Sequence, residues 1–431
     1  MRKFLFITPY FPPQSQVGAL RPLKFVRHLP AQGWLPVVLA DLWPSDGMDP
    51  ELAKFVPPEV PVHYNYSHRA APTWAALQSG ELAKKRQGNP VARAKPLHER
   101  LLPKWLQDPE LLPLGEHSPD MPWAYRAALA ILKADPQIEA IVVNADPFAA
   151  SVVGAQLHRK TGLPLIQDFR DIWAPCKLRR PRRPKPQLWL EDRLERFCVE
   201  NAAHMVINTQ VSLDDYHAFY PEMPRDKFSL IRNFYDAELV SHGTHPGFDR
   251  YTLLHLGNFS RFRVADPLVR ALARALELGV PRNAIQVVST GGYGDDALQL
   301  AEQLGVRDLM KPEPPVPYHK VGALCHAADL LVYIAEPNAD QRIASKFYDY
   351  LGARRPILSV SDNPESGGIL QEHDAGAQFA IRDTEGMAQY IARAFAAGRQ
   401  RVVDRSVAGL TAPEAAASLA KILNQVTEKQ R

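Results

Sequence analysis

A lysine and an aspartate lie three residues apart near the C-terminus, where a polar turn leads into a helical pattern and then an apolar strand. Lys346 falls in the first turn of the predicted helix, and Asp349 follows one turn later. The unpaired backbone N–H groups of a helix start favour an anion, and a carboxylate one turn on can accept hydrogen bonds from sugar hydroxyls. This spacing suits a nucleotide diphosphate with its ribose. The same residues fit equally well an ordinary helix with a solvated lysine and an acid near its cap.

Glycines follow two predicted strands in the same half of the chain. Gly257 and Asn258 come directly after one apolar run, and Gly291 and Gly292 come directly after the next. Ligands of doubly wound α/β domains bind beyond the carboxyl ends of the strands, which is where these residues fall. A single glycine after a strand is a weak signal because it also eases a turn.

Charged side chains follow a buried strand in the first half of the chain. Asp168, Arg170 and Asp171 belong to the run DFRDIW, in which two acids and an arginine alternate with two aromatic residues. This composition at the end of an apolar strand favours a ligand site. In the alternative interpretation the two acids cap the following turn or pair with Arg170.

The elements that must position these residues alternate between short apolar strands and helical stretches. The predicted strands cover residues 3–8, 35–40, 140–144, 163–168, 205–208, 251–256, 285–290, 330–334 and 356–360. The predicted helices cover residues 21–32, 149–161, 191–203, 266–278, 295–304, 321–327, 345–353 and 413–428. Alternation of this kind predicts parallel sheets covered by helices on both faces.

The alternation restarts once, which predicts two doubly wound α/β domains divided near residues 236–247. We assign residues 1–240 to an N-terminal domain and residues 241–410 to a C-terminal domain. Residues 411–431 form a final helix with no strand after it, which could pack back on the first domain.

Composition narrows the class of protein. The chain has 431 residues, enough for two domains, and its 51 Lys and Arg against 47 Asp and Glu give a net charge of only +4. That balance does not indicate a nucleic-acid partner. Three widely spaced cysteines predict reduced thiols in a cytosolic protein. The N-terminal apolar run is too short for a signal peptide, and no window is long enough to span a membrane.

Several motifs that would indicate a cofactor or a metal are missing from the sequence. The loop after the first predicted strand is rich in proline and lacks G-x-G-x-x-G, which counts against a dinucleotide-binding oxidoreductase. The chain contains no D-x-D run and no His/Cys cluster with zinc spacing. We therefore expect neither a cofactor nor a metal.

A basic, proline-rich segment interrupts the pattern at residues 176–189. It reads CKLRRPRRPKPQLW, with six cations and no acid, and is predicted to be non-helical. It is either a solvated loop or a mobile basic arm that meets anionic lipid headgroups or a phosphorylated acceptor.

The chain resembles glycosyltransferases of family 4, which have two facing Rossmann-like domains, the GT-B architecture, with a cleft between them. The resemblance covers nearly the whole chain and is weakest at residues 64–118 and 176–190. Its motifs are the opening segment FITPYFPPQSQVGALRPLKFVRHLPAQGW, PDMPW at 119–123, NADPF at 144–148, DFRDIW at 168–173, LGN at 256–258, GGYG at 291–294, ADLL at 328–331 and SKFYDYLGARRPIL at 345–358.

This resemblance implies transfer of a sugar from a nucleotide diphosphate sugar to an acceptor hydroxyl, with retention at the anomeric carbon. Because the chain lacks D-x-D, we expect fixed cations rather than a metal to stabilise the diphosphate. The first domain would bind the acceptor, and the second would bind the nucleotide sugar. The implied catalytic residues are Asp168, Arg170, Asp171, Arg261 and Lys346. The implied donor-binding residues are Gly257, Asn258, Arg263, Gly291, Gly292, Gln341, Ser345 and Asp349, and the acceptor-side residues are Gly18, Arg21 and Asp146.

One departure from the family pattern bears on the donor site. The family has two glutamates with seven residues between them, and this chain has Gln341 and Asp349 at those positions. Asp349 keeps an acceptor for ribose hydroxyls on a shorter arm, whereas Gln341 removes a formal charge near the transferred sugar.

Three classes of function remain open at this point. The leading one is a transferase that acts on a glycan or lipid-linked acceptor in bacterial surface polysaccharide or glycolipid synthesis. Such an enzyme would be cytoplasmic, with a peripheral contact to anionic membrane and no nucleic-acid partner. The alternatives are a nucleotide-sugar epimerase or phosphorylase of the same fold, and a catalytically silent sugar-binding scaffold.

Overall fold

A computed structural model describes residues 1–42, 47–67, 114, 118–145, 147–241, 243–259, 264–337, 339–399 and 407–430. The chain forms two compact units. Unit 1 comprises Met1–Arg232 and Pro413–Arg431, and unit 2 comprises Asn233–Ala412.

Unit 1 contains a seven-stranded sheet in which every pairing is parallel. Its strands are β1 (Arg2–Ile7), β2 (Trp34–Leu39), β3 (Val62–His63), β4 (Ile138–Ala145), β5 (Leu165–Phe169), β6 (His204–Ile207) and β7 (Phe228–Leu230). Its described helices are α1 (Leu20–His28), α2 (Pro50–Ala53), α3 (Met121–Ala134), α4 (Ala149–Thr161), α5 (Lys185–Glu200) and α6 (Gln210–Phe219). The strand order is β3-β2-β1-β4-β5-β6-β7, so the order reverses between β1 and β4.

Unit 2 contains a six-stranded sheet, again with parallel pairings. Its strands are β8 (Tyr251–Leu256), β9 (Ile285–Thr290), β10 (Met310–Glu313), β11 (Leu330–Ile334), β12 (Ile357–Val360) and β13 (Gly376–Phe379). Its described helices are α7 (Ala237–Ser241), α8 (Asp266–Glu277), α9 (Asp295–Gln303), α10 (Tyr318–Ala327), α11 (Ser345–Gly352), α12 (Pro364–Glu372) and α13 (Thr384–Ala396). The order β10-β9-β8-β11-β12-β13 reverses between β8 and β11.

The central strands of both sheets are buried on both faces. Phe4, Leu5, Phe6 and Ile7 of β1 are all fully buried, and every residue of β11 is buried. Helices cover both faces of a parallel sheet, so its central strands are continuous apolar runs rather than alternating ones. The predicted fold class, two doubly wound α/β units, is confirmed.

The helix α14 (Ala412–Glu428) ends the described chain and packs on unit 1. The Asn424 amide oxygen accepts hydrogen bonds from the Arg2 guanidinium at 3.0 Å and from the Trp34 indole N–H at 3.1 Å. Leu419 and Leu423, one turn apart, are buried on the same side of the helix. No helix in the described part of the chain is both long and apolar enough to cross a membrane.

The basic segment at residues 176–189 differs from its prediction. A short 3-10 turn covers Arg180–Arg182, and α5 begins at Lys185, so the last part of the segment is helical. Pro186 lies in the first turn of α5, where the missing N–H costs nothing because that group has no helical partner. The expectation of a wholly non-helical segment is therefore wrong.

Candidate functional site

The loops after β8 and β9 approach each other closely in unit 2. Gly257 has φ +94°, and its N–H donates to the backbone oxygen of Thr290 at 3.2 Å and lies 3.1 Å from the Thr290 hydroxyl oxygen. Gly291 has φ +141°, and a Cβ there would lie 1.9 Å from the Asn258 Oδ1 atom. Glycine is required at Gly291 both by its backbone conformation and by this contact.

A buried serine holds these two glycine loops together. The hydroxyl of Ser289, at the end of β9, lies 3.2 Å from the Gly257 oxygen and 3.1 Å from the Gly292 oxygen. Asn258 is exposed between these loops. The predicted donor-side residues Gly257, Asn258, Gly291 and Gly292 therefore form one continuous backbone surface at the carboxyl end of the sheet.

Lys346 joins this surface from α11. Its ammonium group donates to the Leu256 backbone oxygen at 2.8 Å and lies 3.3 Å from the Nε2 atom of His255. A Cβ placed on Gly257 would have the Lys346 Nζ atom, 4.0 Å away, as its nearest neighbour. Lys346 is half-buried, unlike the solvated lysine of the alternative interpretation. The structure thus brings together a cation, a helix N-terminus and an open glycine backbone at a switch point of the strand order.

Asp349 is buried one turn further along α11. Its Oδ1 atom accepts a hydrogen bond from the Tyr318 hydroxyl at 3.1 Å. Burial and the adjacent Asp349 carboxylate hold the pKa of Tyr318 well above its usual range, so the hydroxyl keeps its proton and donates it. Asp349 and Gln341 are only 4% and 3% exposed. Contact of either side chain with a sugar or ribose stays a prediction.

Asp168 is the centre of a buried network in unit 1. The Arg21 guanidinium donates to Asp168 through Nε at 2.9 Å and through Nη2 at 2.8 Å, and the Asn144 amide donates to it at 2.7 Å. The same guanidinium also donates to the backbone oxygens of Ile231 and Arg232, at 2.9 and 2.8 Å. The Asp168 and Arg21 side chains are 1% and 3% exposed. Asp168 therefore anchors Arg21, which in turn holds Ile231 and Arg232 at the end of the first segment of unit 1.

The residues around this network are placed by close packing. A Cβ on Gly18 would lie 2.6 Å from the Arg170 Nη1 atom and 2.6 Å from the Tyr10 ring. The Asn208 amide donates to the Arg170 backbone oxygen. Arg170 and Asp171 are half-buried at the end of β5. Gly18, Arg21 and Arg170 therefore lie around the loop after β1. The acceptor-side role of Gly18 and Arg21 and the catalytic role of Arg170 stay predictions.

Three predicted site residues cannot be placed. Asp146, Arg261 and Arg263 lie outside the residues that the structure describes. Among the described residues, no group of three or more His, Cys, Asp or Glu side chains is arranged to hold a metal ion.

Most cations of the basic segment have partners inside unit 1. Arg180 pairs with Asp192 at 2.6 Å, and Lys177 pairs with Asp215 at 3.0 Å. Arg183 pairs with the buried Glu191 carboxylate. Arg179 donates to the Ile172 backbone oxygen. These contacts tie residues 177–183 to the rest of the unit, so the interpretation as a mobile arm is wrong.

Two residues that contact Lys346 and Asp168 were not predicted from the sequence. His255 lies inside the apolar run of β8, where a single histidine gives no periodic signal. Asn144 lies in the motif NADPF, but it was not predicted as a site residue. Only the three-dimensional contacts with Lys346 and Asp168 distinguish them from ordinary core positions.

Comparison with solved structures places this chain in a well-populated fold class. The sucrose-phosphate synthase of Thermosynechococcus elongatus is 14% identical, with a TM-score of 0.59 and coverage of 100% of this chain and 97% of the other. Anabaena Alr3699/HepE, solved in complex with UDP-glucose, is 15% identical with a TM-score of 0.57, over 100% and 99% of the two chains. At these identities the likeness shows the fold alone.

The sequence comparisons point to the same class of enzyme. Residues 19–233, just under half of the chain, match the family described as "Glycosyl transferase 4-like domain". A D-inositol 3-phosphate glycosyltransferase of Catenulispora acidiphila is 25% identical over 207 residues, which are 44% of this chain and 49% of the relative. The chain thus spans about half the length of the curated relative it matches. Together the family match and the relative support a transferase.

Proposed function

We propose that this protein is a glycosyltransferase that moves a sugar from a nucleotide diphosphate sugar to an acceptor hydroxyl. The observation that carries the proposal is the surface formed by Gly257, the β9 loop and Lys346. Backbone groups at the ends of two parallel strands lie within a few ångströms of the ammonium group of a lysine, and that lysine belongs to the first turn of a helix. This combination suits a diphosphate because each of its parts stabilises negative charge.

The proposed reaction breaks the bond between the anomeric carbon and the diphosphate oxygen. The bonding electrons leave with the nucleoside diphosphate, and a new bond forms from the acceptor oxygen to the anomeric carbon. The acceptor hydroxyl gives its proton to the departing diphosphate oxygen. Lys346 and the N-terminus of α11 at Ser345 would stabilise the charge that develops on the leaving diphosphate. Removing one such preorganised donor typically costs about 10²–10³ in rate. We propose that this positive charge replaces a metal ion and that the anomeric configuration is retained.

UDP-sugars are the first donors to consider, because the similar Anabaena structure contains UDP-glucose. The curated relative is a D-inositol 3-phosphate glycosyltransferase, which favours a polyol or sugar hydroxyl as acceptor. We place the reaction in the synthesis of bacterial surface polysaccharide or glycolipid, as the family resemblance implies.

The first prediction concerns donor binding. The test ligands are UDP, GDP, ADP and TDP at millimolar concentration. At least one of them should raise the melting temperature of the wild-type protein, because a ligand that binds only the folded state stabilises that state. The increase should persist in excess EDTA. Lys346→Met should lose most of it, since methionine keeps the apolar stem without the charge. Differential scanning fluorimetry measures all of these shifts.

The matched control for this prediction is Lys320→Met on α10, an exposed lysine of unit 2 that has the same chemistry and lies outside the glycine loops. It should keep the full ligand-induced shift. No stabilisation by any of the four nucleotides would overturn the proposed function. A shift that disappears in EDTA and returns with Mg²⁺ would overturn the metal-free mechanism. Hydrolysis or epimerisation of the sugar nucleotide without any acceptor would favour the alternative enzyme class.

We further propose that the acceptor is carried on a lipid and that unit 1 contacts an anionic membrane. The surface that supports this is the basic aromatic patch, formed by Arg182, Lys185, Trp189, Leu190 and Arg193. Trp189 is 61% exposed and Leu190 is 38% exposed, both near the start of α5. Lys185, Trp189 and Arg193 are four residues apart in sequence and so share one face of the helix.

The patch lies at the end of unit 1 where ligands of such folds bind. Helices between parallel strands begin near the carboxyl ends of the strands, and α5 connects β5 to β6. A second exposed tryptophan, Trp123, lies in the first turn of α3 at the same end of the unit and is 47% exposed. Exposed tryptophans beside cations suit a membrane interface, where the rings enter the headgroup region and each cation near an anionic surface contributes about 1 kcal/mol.

The second prediction tests this patch. The variant Lys185→Glu/Trp189→Ser/Arg193→Glu should lose sedimentation with phosphatidylglycerol vesicles at low salt. The control Lys133→Glu/Lys160→Glu makes the same change in charge at exposed positions in the last turns of α3 and α4, the opposite end of the unit. It should bind like the wild type. Absence of wild-type binding at low salt, or equal loss in both variants, would rule out this membrane contact.

A further inference from the structure

We infer that His255 is a positioning residue that orients Lys346 for the diphosphate of the donor. This inference rests on the proposed function, because it assigns a partner to the cation of that site. The two residues are 91 positions apart in sequence and meet only in the folded unit.

The hydrogen bonds of the imidazole ring define its tautomer. His255 is fully buried, and its Nδ1 atom lies 3.0 Å from the backbone oxygen of Val332 on the neighbouring strand β11. A carbonyl oxygen carries no proton, so Nδ1 must be the protonated nitrogen. In the neutral ring Nε2 then has a lone pair, and this atom lies 3.3 Å from the Lys346 Nζ atom. The buried imidazole is therefore an acceptor for the ammonium group.

Ring packing keeps this acceptor in place. The His255 ring stacks on the Phe259 ring with centroids 4.1 Å apart and an interplanar angle of 20°. Phe259 in turn stacks on Tyr293, at 5.3 Å and 12°. The Tyr293 hydroxyl donates to the Val287 backbone oxygen at 3.0 Å. These contacts restrict rotation of the imidazole, so Nε2 keeps its direction toward α11.

Two acceptors on separate groups give the ammonium one preferred position. The Leu256 oxygen accepts from Lys346 at 2.8 Å, and Nε2 of His255 lies on a second side of the same nitrogen. A lysine side chain has four rotatable bonds and loses much entropy when it is held by a ligand alone. A lysine that is already held beside Gly257 loses less conformational entropy when the diphosphate binds. His255 should therefore increase the affinity for the nucleotide without contacting the nucleotide itself.

The third prediction is a double-mutant cycle between the two residues. His255→Phe preserves ring stacking on Phe259 and removes the acceptor nitrogen. The test ligand is the nucleoside diphosphate that raises the melting temperature most. The variant should bind it about tenfold more weakly, the effect expected for one hydrogen bond to a charged group. In the Lys346→Met background the same change should have almost no further effect, because its target is gone. Isothermal titration calorimetry of the four proteins measures this coupling, and His255→Gln, which offers a distal oxygen, should recover part of the affinity.

The control is His204→Asn in unit 1, a second buried histidine, whose ring bonds to the Ser229 hydroxyl at 2.7 Å. It should leave nucleotide affinity unchanged. If His255→Phe lowers affinity equally with and without Lys346, His255 has only a structural role and the inference fails while the proposed function stands. If the wild type binds no nucleoside diphosphate, the proposed function fails and the role of His255 fails with it.

Discussion

Asp168→Ala is expected to destabilise the protein by about 3–5 kcal/mol, the cost of removing one partner of a buried ion pair. The Arg21 side chain is only 3% exposed, and the substitution removes the carboxylate that balances its charge. The guanidinium also contacts the carbonyl oxygens of Ile231 and Arg232, which are dipoles and carry no full negative charge. Chemical denaturation followed by tryptophan fluorescence measures the loss of stability.

The control for Asp168→Ala is Glu222→Ala, which removes an ion pair with Arg196 in the same unit. Both side chains of that pair are exposed, at 44% and 48%, so solvent screens the pair and its loss should change stability little. A third variant, Asp168→Leu/Arg21→Met, removes both charges and should recover part of the lost stability. If Asp168→Ala instead keeps wild-type stability and abolishes transfer, the catalytic assignment predicted from DFRDIW is right and the anchoring role is wrong.

The difference between these two roles of Asp168 shows what sequence patterns can establish. The alternation of apolar runs predicts that Asp168 ends a buried strand, and the structure has it in β5. Its partner Arg21 lies 147 residues earlier, on the helix after β1. The local pattern offers Asp168 only two candidate partners, Arg170 and the following turn. Non-local pairing follows from strand order, which apolar periodicity does not specify.

The strands that the sequence failed to predict share a physical cause. β3, β7, β10 and β13 are missing from the prediction, and they are the two outermost strands of each sheet. An edge strand is covered less fully and needs fewer apolar residues, so β10 reads MKPE and has only Met310 buried. The central strands β8, β9 and β11 are buried apolar runs, and their predicted limits agree with the structure residue for residue.

The position of the glycine loops of unit 2 could be predicted from the sequence. A backbone with positive φ requires glycine, and a surface on which a ligand approaches the backbone requires it too. Gly257 and Gly291 have positive φ, which favours glycine whatever the loop binds. The role of a cation is harder to predict from the sequence. The basic segment contains six cations, and three of them, Lys177, Arg180 and Arg183, pair with acids from α5 and α6. Charge counted along the sequence overstates the charge that a surface offers to a partner.

A buried glutamate beneath the DFRDIW loop leads to the last prediction. Glu195 on α5 is fully buried and accepts a hydrogen bond from the Ala174 backbone N–H. Burial raises the pKa of Glu195 from 4.5 to about 8, against smaller opposing effects of the hydrogen bonds from Ala174 and Tyr216. The folded protein therefore keeps this carboxyl protonated at a pH where the unfolded chain has released the proton.

The direction of the pH dependence follows from proton binding. Below pH 4.5 both states hold the proton, and this group contributes its full stability. As pH rises from 4.5 toward 8 only the unfolded state releases its proton, so stability falls by up to about 1.4 kcal/mol per pH unit. Above that interval both states are ionised and the loss is complete.

Glu195→Gln should remove this dependence, because the amide has the same shape and stays neutral at every pH. The free energy of unfolding of the variant minus that of the wild type should rise with pH across the interval and level off near pH 8. Urea denaturation at half-unit steps of pH measures the difference. Glu200→Gln makes the same substitution at an exposed position on the same helix and is measured alongside as the control. A flat difference for Glu195→Gln would mean that the carboxylate is ionised in the folded protein, and the DFRDIW loop would then rest on a buried charge rather than on a neutral acid.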